Sequence, residues 1–229
     1  DLKDVLPNEI SNLMDLGEWK KCTEYNISKY RLSFFEDTFG VIFLILVFLG
    51  VYPIYLNSSF FVNSSSLLQS AAGCIGFLLL IQIPLLPFDW KRQFSLEQKY
   101  GFNTNTLSNW LIDKLKEFLL GFCLGWVILS LMLFLHKWGA TYFPSFWWLI
   151  AFLAFFIIQI LLMVLWPKFI LPLFNKLTPL KDPDLSEKLF ALASKIGFKT
   201  SAIEVIDGSK RSRHSNAFFT GFGKFRRVV

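Results

Sequence analysis

Two histidines, His136 and His214, stand 78 positions apart in this chain, and no third occurs. A hydrolytic zinc site on a helix needs two His one turn apart with a Glu between them. Both imidazoles then reach one ion while the carboxylate works on its water. The sequence contains no HExxH, so no zinc site is expected within it. Cys22, Cys74 and Cys123 are isolated and lack CxxC spacing, which argues against a disulfide framework or a thiolate site and for small buried hydrophobes. His136 precedes Lys137 and Trp138 at the end of an apolar run and reads as an interfacial residue.

The other polar concentration lies near the end. Asp207, Ser209, Ser212, His214 and Ser215 fall in one nine-residue stretch without a nucleophile elbow, which excludes a serine-hydrolase reading. Lys210, Arg211, Arg213, Lys224, Arg226 and Arg227 form a basic cluster. Its first reading is a solvated face against anionic lipid headgroups, and its second a site for a peptide carboxylate. Nucleic acid is not expected as a partner, because no stacking platform or groove-entering motif accompanies the charge.

What must position these residues is a membrane-type chain. Of its 229 residues 54% are hydrophobic and 17% charged, with 27 Phe and 8 Trp, more apolar than a soluble domain. Spans are expected at 39–56, 67–88, 118–135 and 146–166, each long enough for a hydrocarbon core of about 30 Å. Lys and Arg number five in 1–38, none in 57–66, five in 89–117, one in 136–145 and twelve in 167–229. By the positive-inside rule the first, third and last of these segments are cytoplasmic. Asn57-Ser58-Ser59 and Asn63-Ser64-Ser65 are sequons on the other side. The first thirty residues are charged and lack an apolar core, so no signal peptide is expected. The sequence begins with Asp and reads as a piece of a longer protein.

Within 89–117, Phe94 to Tyr100 reads as a short helix stopped by Gly101, with Thr106 or Ser108 capping the next. Pro167 and Pro172 should break the apolar stretch after Trp166, and the chain should leave along the interface. Asp182 and Pro183 then start an amphipathic helix that Gly197 ends. Ala202 to Ile206 and Ala217 to Thr220 read as extended runs, and Gly221, Gly223 and Phe225 to Val229 as a hairpin with a partner strand. The domain reading is a membrane part at 1–180 and the start of an α+β domain at 181–229.

Asn216-Ala217-Phe218 resembles the edge strand of thermolysin-like metalloproteases, which lies antiparallel to the substrate. A free edge suits that role because its N–H and C=O groups can accept an added strand. With Gly208-Ser209-Lys210-Arg211-Ser212 and His214-Ser215 before it, the segment resembles the Gly-Ser-Lys-Arg-Ser-x-His-Ser-Asn-Ala string of the type 1 CAAX prenyl protease family. Lys99-Tyr100-Gly101-Phe102-Asn103 is similar to a loop of that family, with Gln98 where a Glu is usual. Pro172 to Leu180 and Leu6-Pro7-Asn8-Glu9 resemble two further stretches.

The resemblance implies an all-α integral membrane protein, seven helices forming a barrel around a water-filled chamber, followed by a cytoplasmic α+β metalloprotease domain. The four spans here would be the second to fifth. It implies zinc in the full-length parent and none held by this chain, and a prenylated protein or peptide as substrate. Zinc-bound water, with the motif Glu as base, would attack the peptide bond after the lipidated Cys. His214, Asn216, Ala217, Phe218 and Phe219 would bind that substrate, and no residue of this chain would be catalytic. The location would be the endoplasmic reticulum membrane in a eukaryote or the inner membrane in a bacterium. Two rivals are a heat-shock-type membrane quality-control protease, which usually has fewer spans, and a non-enzymatic scaffold or transporter suggested by Gln69, Gln82 and Gln159. No Asp, Glu, Lys or Arg within the spans supports an ion pathway.

Overall fold

The computed structural model describes residues 12, 14–58, 66–198, 200–220 and 226–229. The motif Leu6–Glu9, the sequon at Asn63 and the run Gly221 to Phe225 lie outside the described residues. Among the described residues four helical runs are long and apolar enough to cross a membrane: α1 Leu16–Leu56, α2 Leu67–Glu97, α3 Leu107–Tyr142 and α4 Trp147–Phe174. The first three contain the expected spans 39–56, 67–88 and 118–135 whole, α4 covers 146–166 but for its first residue, and all four extend past them. At most 11% of any apolar window is buried inside the chain. Leu49 and Ile54 are 71% and 74% exposed, which is tolerable only where lipid is the solvent.

Local chemistry sets the helix ends. At the start of α1, Asp15 Oδ1 accepts from the Glu18 N–H at 2.8 Å while Glu18 Oε2 accepts from the Asp15 N–H at 3.3 Å, a reciprocal capping box. Thr106, not Ser108, caps α3, its hydroxyl accepting from the Asn109 N–H at 3.2 Å. Helix therefore takes up both ends of the expected 89–117 connection. Prolines leave their mark inside the runs. A π segment at Val47–Val51 precedes Pro53, and another at Trp166–Ile170 precedes Pro172. Proline offers no N–H to the carbonyl four residues back and crowds it, and the wider turn relieves both problems. The expected break at Pro167 and Pro172 is thus not a break: helix continues to Phe174.

The chain packs as two compact units, Asp1–Asn103 and Thr104–Val229. In the first, the end of α2 folds back on α1 through aromatic edges. Tyr25 stands edge-on to Tyr100 and to Phe102, with ring centroids 5.2 Å apart in both pairs. Its hydroxyl donates to Glu97 Oε1 at 2.7 Å. Gly101 turns the chain at φ 79°, the left-handed region that favours glycine. The Phe102 and Asn103 N–H groups then both donate to the Glu97 carbonyl. Asn103 donates to Gln98 Oε1 at 2.8 Å and accepts from Gln93 at 2.5 Å. Arg92 and Glu36 form a further ion pair between α2 and α1.

In the second unit α3 and α4 form a hairpin closed at Gly139, which is buried. A Cβ there would lie 2.8 Å from Trp147 Cβ, so glycine is what lets the helices approach. The His136 ring meets Trp147 edge-on at 4.4 Å. After α4 come β1 Leu177–Pro179, α5 Pro183–Lys195, β2 Ala202–Ile206, β3 Phe219–Thr220 and β4 Arg227–Val228. Asp182 caps α5 by accepting from the Leu185 N–H at 3.0 Å, and Gly197, at φ 71°, ends it. The sheet order is β1-β2-β4-β3. β1 runs antiparallel to β2, β2 parallel to β4, and β3 antiparallel to β4. The expected hairpin partner of β3 is present, and it also inserts beside β2. β1 was not anticipated; a strand of three residues carrying a proline has almost no alternation to read.

Candidate functional site

β3 lies at one edge of this sheet, paired with β4 alone among the described residues. Just before it, Phe218 and Val229 exchange both hydrogen bonds, at 2.9 and 2.8 Å. Backbone groups of an antiparallel strand alternate sides, so the flanking residues Ala217 and Phe219 direct theirs to the open edge. The Ala217 N–H is engaged by the Asn216 side chain, Oδ1 accepting at 2.9 Å. That leaves the Ala217 carbonyl and both polar groups of Phe219 for an incoming strand, and the Asn216 amide nitrogen beside them as a donor. Asn216, Ala217, Phe218 and Phe219 are exposed, Phe219 to 75%. The Phe219 ring sits edge-on to Phe198, with centroids 5.5 Å apart. His214 is exposed in the preceding loop, its N–H donating to Ser212 Oγ at 3.2 Å. All five candidate residues thus lie on one continuous stretch at the sheet edge.

The basic cluster is less free than its charges suggest. Lys210 pairs with Asp207 at 2.8 Å, and Arg227 with Glu204 at 2.8 Å. Arg211 reaches back to α3, where Nε and Nη2 donate to the two carboxylate oxygens of Asp113 at 2.7 and 3.1 Å. Its Nη1 lies 3.4 Å from Asn175 Oδ1. The Asp113 hydrogen bond holds the Arg211 pKa above its ordinary value. The Asp207 carboxyl is held below its usual range, first by the Lys210 hydrogen bond and then by the Lys176 N–H, which it accepts at 2.6 Å. Its two oxygens are taken by these partners, away from any catalytic arrangement with a serine. Asp113 and Asn175 were not singled out by the sequence. Their partner is 98 and 36 positions away, and a lone carboxylate beside Lys114 and Lys116 gives no spacing signal.

Zinc does not fit what is described. Among the described residues no group of three or more His, Cys, Asp or Glu side chains comes together as a metal would require, and the sequence holds only His136 and His214.

Four long apolar helices followed by a small sheet with an open edge define a multi-pass membrane protein. The profile of the CAAX prenyl protease N-terminal region, described as five membrane helices, matches residues 1–176. The chain belongs to the CAAX prenyl protease family. It is 34% identical over 227 residues to CAAX prenyl protease 1 of Saccharomyces cerevisiae, covering 94% of this chain and 49% of that protein. To the human CAAX prenyl protease 1 homolog it is 32% identical, covering 98% and 48%. The crystal structure of S. mikatae Ste24p superimposes with a TM-score of 0.85 at 33% identity, over 98% of this chain and 53% of that one. The chain spans about half the length of the curated relatives it matches. These matches favour the CAAX-processing family over the heat-shock protease and transporter readings.

Proposed function

We propose that this chain is the membrane scaffold and substrate-holding strand of a zinc metalloendopeptidase that cleaves C-terminal CAAX-type prenylated peptides. The observation that carries the reading is the open edge at Ala217 and Phe219, created by the Phe218–Val229 pair in a member of this family. A substrate backbone laid antiparallel there would add a strand and gain main-chain hydrogen bonds. Asn216 would add one from its side chain, and His214 would flank the entry. Residues 1–180 form the membrane part in this reading, and 181–229 the start of the protease domain. The metal and its chemistry belong to other parts of the full-length protein, so this chain's share is to bind and orient.

The second part of the reading is topology. Twelve of 23 Lys and Arg follow residue 166, and none lies in 57–66. This distribution supports a cytoplasmic C-terminal part; the membrane would be the endoplasmic reticulum in a eukaryote or the inner membrane in a bacterium. A cysteine placed at Ser209 should react with an impermeant reagent from the cytoplasmic side only. Labelling from the opposite side overturns the orientation.

In the full-length protein, Asn216→Ala should insert normally and keep its zinc, yet lose activity. One hydrogen bond to a backbone is worth about 1 kcal/mol, and up to about 3 kcal/mol if it tightens in the transition state. That corresponds to a fall in kcat/KM from roughly five-fold to over a hundred-fold. Parent-like kcat/KM in the zinc-loaded variant would remove the substrate-strand assignment.

A further inference from the structure

The loop that leads into the candidate strand is fastened more tightly than a surface connection requires. Asp207 is tied to Lys176 by two hydrogen bonds, from the Lys176 N–H to its carboxylate and from its own N–H to the Lys176 carbonyl at 3.1 Å. Thr104, just before α3, donates its hydroxyl to the Ser209 carbonyl at 2.7 Å and its N–H to the Arg211 carbonyl at 3.3 Å. The centre of the arrangement is Arg211, whose guanidinium grips both oxygens of Asp113 and touches Asn175. The Asp113 side chain is 13% exposed and that of Arg211 28%. Asp113 lies in the second turn of α3, and Asn175 directly follows α4. One side chain therefore ties its own loop to two other segments of the same unit, α3 and the end of α4.

A two-point fork fixes direction as well as distance, which a single ammonium cannot do. Asn216 lies five residues beyond Arg211. We infer that Arg211 is a positioning residue. Clamped on Asp113, it sets the lead-in to the edge strand against α3, so that the strand presents its open side in the orientation a substrate backbone needs. This rests on the substrate-strand reading above. It assigns Arg211 a role other than the peptide-carboxylate contact that its charge first suggested, since its guanidinium is already occupied.

The experiment compares Arg211→Lys, Asp113→Asn, the double variant and Asn216→Ala in the full-length protein, with a prenylated CAAX peptide as substrate. Expected is a fall in kcat/KM per zinc-loaded molecule of about ten- to a hundred-fold for each single clamp variant. The double variant should be no worse than either single, because both remove one interaction. Thermal midpoint and zinc content should stay near the parent's. Hydrogen exchange gives a readout independent of activity: in Asp113→Asn the amides of Arg211 and Ser212 should exchange at least about ten-fold faster while α3 and α4 are unchanged. Parent-like kcat/KM in both single variants, with Asn216→Ala impaired, overturns the clamp alone. Unchanged exchange at Arg211 and Ser212 overturns it as well. Parent-like activity in Asn216→Ala overturns the strand reading and the positioning role with it.

Discussion

The turn at Gly101 in the first unit and the loop Asp207–Arg211 in the second are each bound to a long helix, and the binding forces differ. Around Gly101 the contacts are mainly ring edges and hydrogen bonds, one of them from the Tyr25 hydroxyl to the Glu97 carboxylate, with Tyr25, Tyr100, Phe102 and Asn103 packed about Glu97. Around Arg211 they are ion pairs, with Asp113, Asp207 and Lys210 in place of the rings. Aromatic edges depend on shape and contact area, and salt hardly alters them. Part-exposed ion pairs depend on charge state and weaken in salt, yet a forked pair orients its partner in a way that an apolar contact does not. The oriented anchor is the one beside the candidate substrate strand. The packed anchor is the one whose work is to close a helix end.

The comparison breaks most visibly at Tyr100, which is 8% exposed. Tyr100→Ala removes the edge contact with Tyr25 and a hydroxyl contact of 3.3 Å with Ser28, and leaves a cavity. Aromatic truncations of this kind cost about 3 kcal/mol or more. The expected outcome is a clear drop in the thermal midpoint in detergent, by the same amount at low and high salt. A loss that shrinks in high salt would show that the turn is held by charge after all.

These two anchors were unequally legible in the sequence. Gly101 was read as a helix stop, and its φ of 79° gives the reason, since only a residue without a side chain enters that region freely. Asp182, Pro183 and Gly197 bounded α5 by the same local rules. The four apolar runs announced their helices because composition alone defines a span. What local rules could not reach was pairing over distance. Nothing near Tyr25 names Glu97, 72 positions on, and nothing near Arg211 names Asp113. The proline-containing end of α4 misled for a different reason. The local penalty of Pro172 is real, but a π turn accommodates it where the helix as a whole is favoured. At the candidate site the extended run expected at Ala217 to Thr220 overlaps the strand, which is confined to Phe219–Thr220, whereas the open side of that strand follows from β4, which the sequence alone could not place between β2 and β3.

The smallest expected effect lies in the pH response of the ionic anchor. Asp207 has its pKa lowered below the ordinary carboxylate value of about 3.9, first by Lys210 and then by the Lys176 N–H. A depressed carboxylate binds its proton less readily when folded than when unfolded. Its stabilising contribution is therefore fully present above the unfolded pKa, and it is lost as pH falls through the folded one. The Arg211 pKa is raised, so its charge and its contribution persist across the acid and neutral range and would fade only at strongly alkaline pH. The anchor as a whole should thus be indifferent to pH from about 5 upward and loosen only below about 4. Because Asp207 is part-exposed, the change should amount to less than about 1 kcal/mol. Asp207→Asn should abolish that acid-side step while leaving the neutral-pH loop in place through the Arg211–Asp113 pair. Hydrogen exchange at Lys210 and Arg211, whose N–H groups bond to Asp207 and Gly208, measured at pH 3.5 and 6 provides the check. Equal pH sensitivity in the parent and in Asp207→Asn would mean that Asp207 is not the group that titrates, and the electrostatic account of this anchor would have to move to another carboxylate.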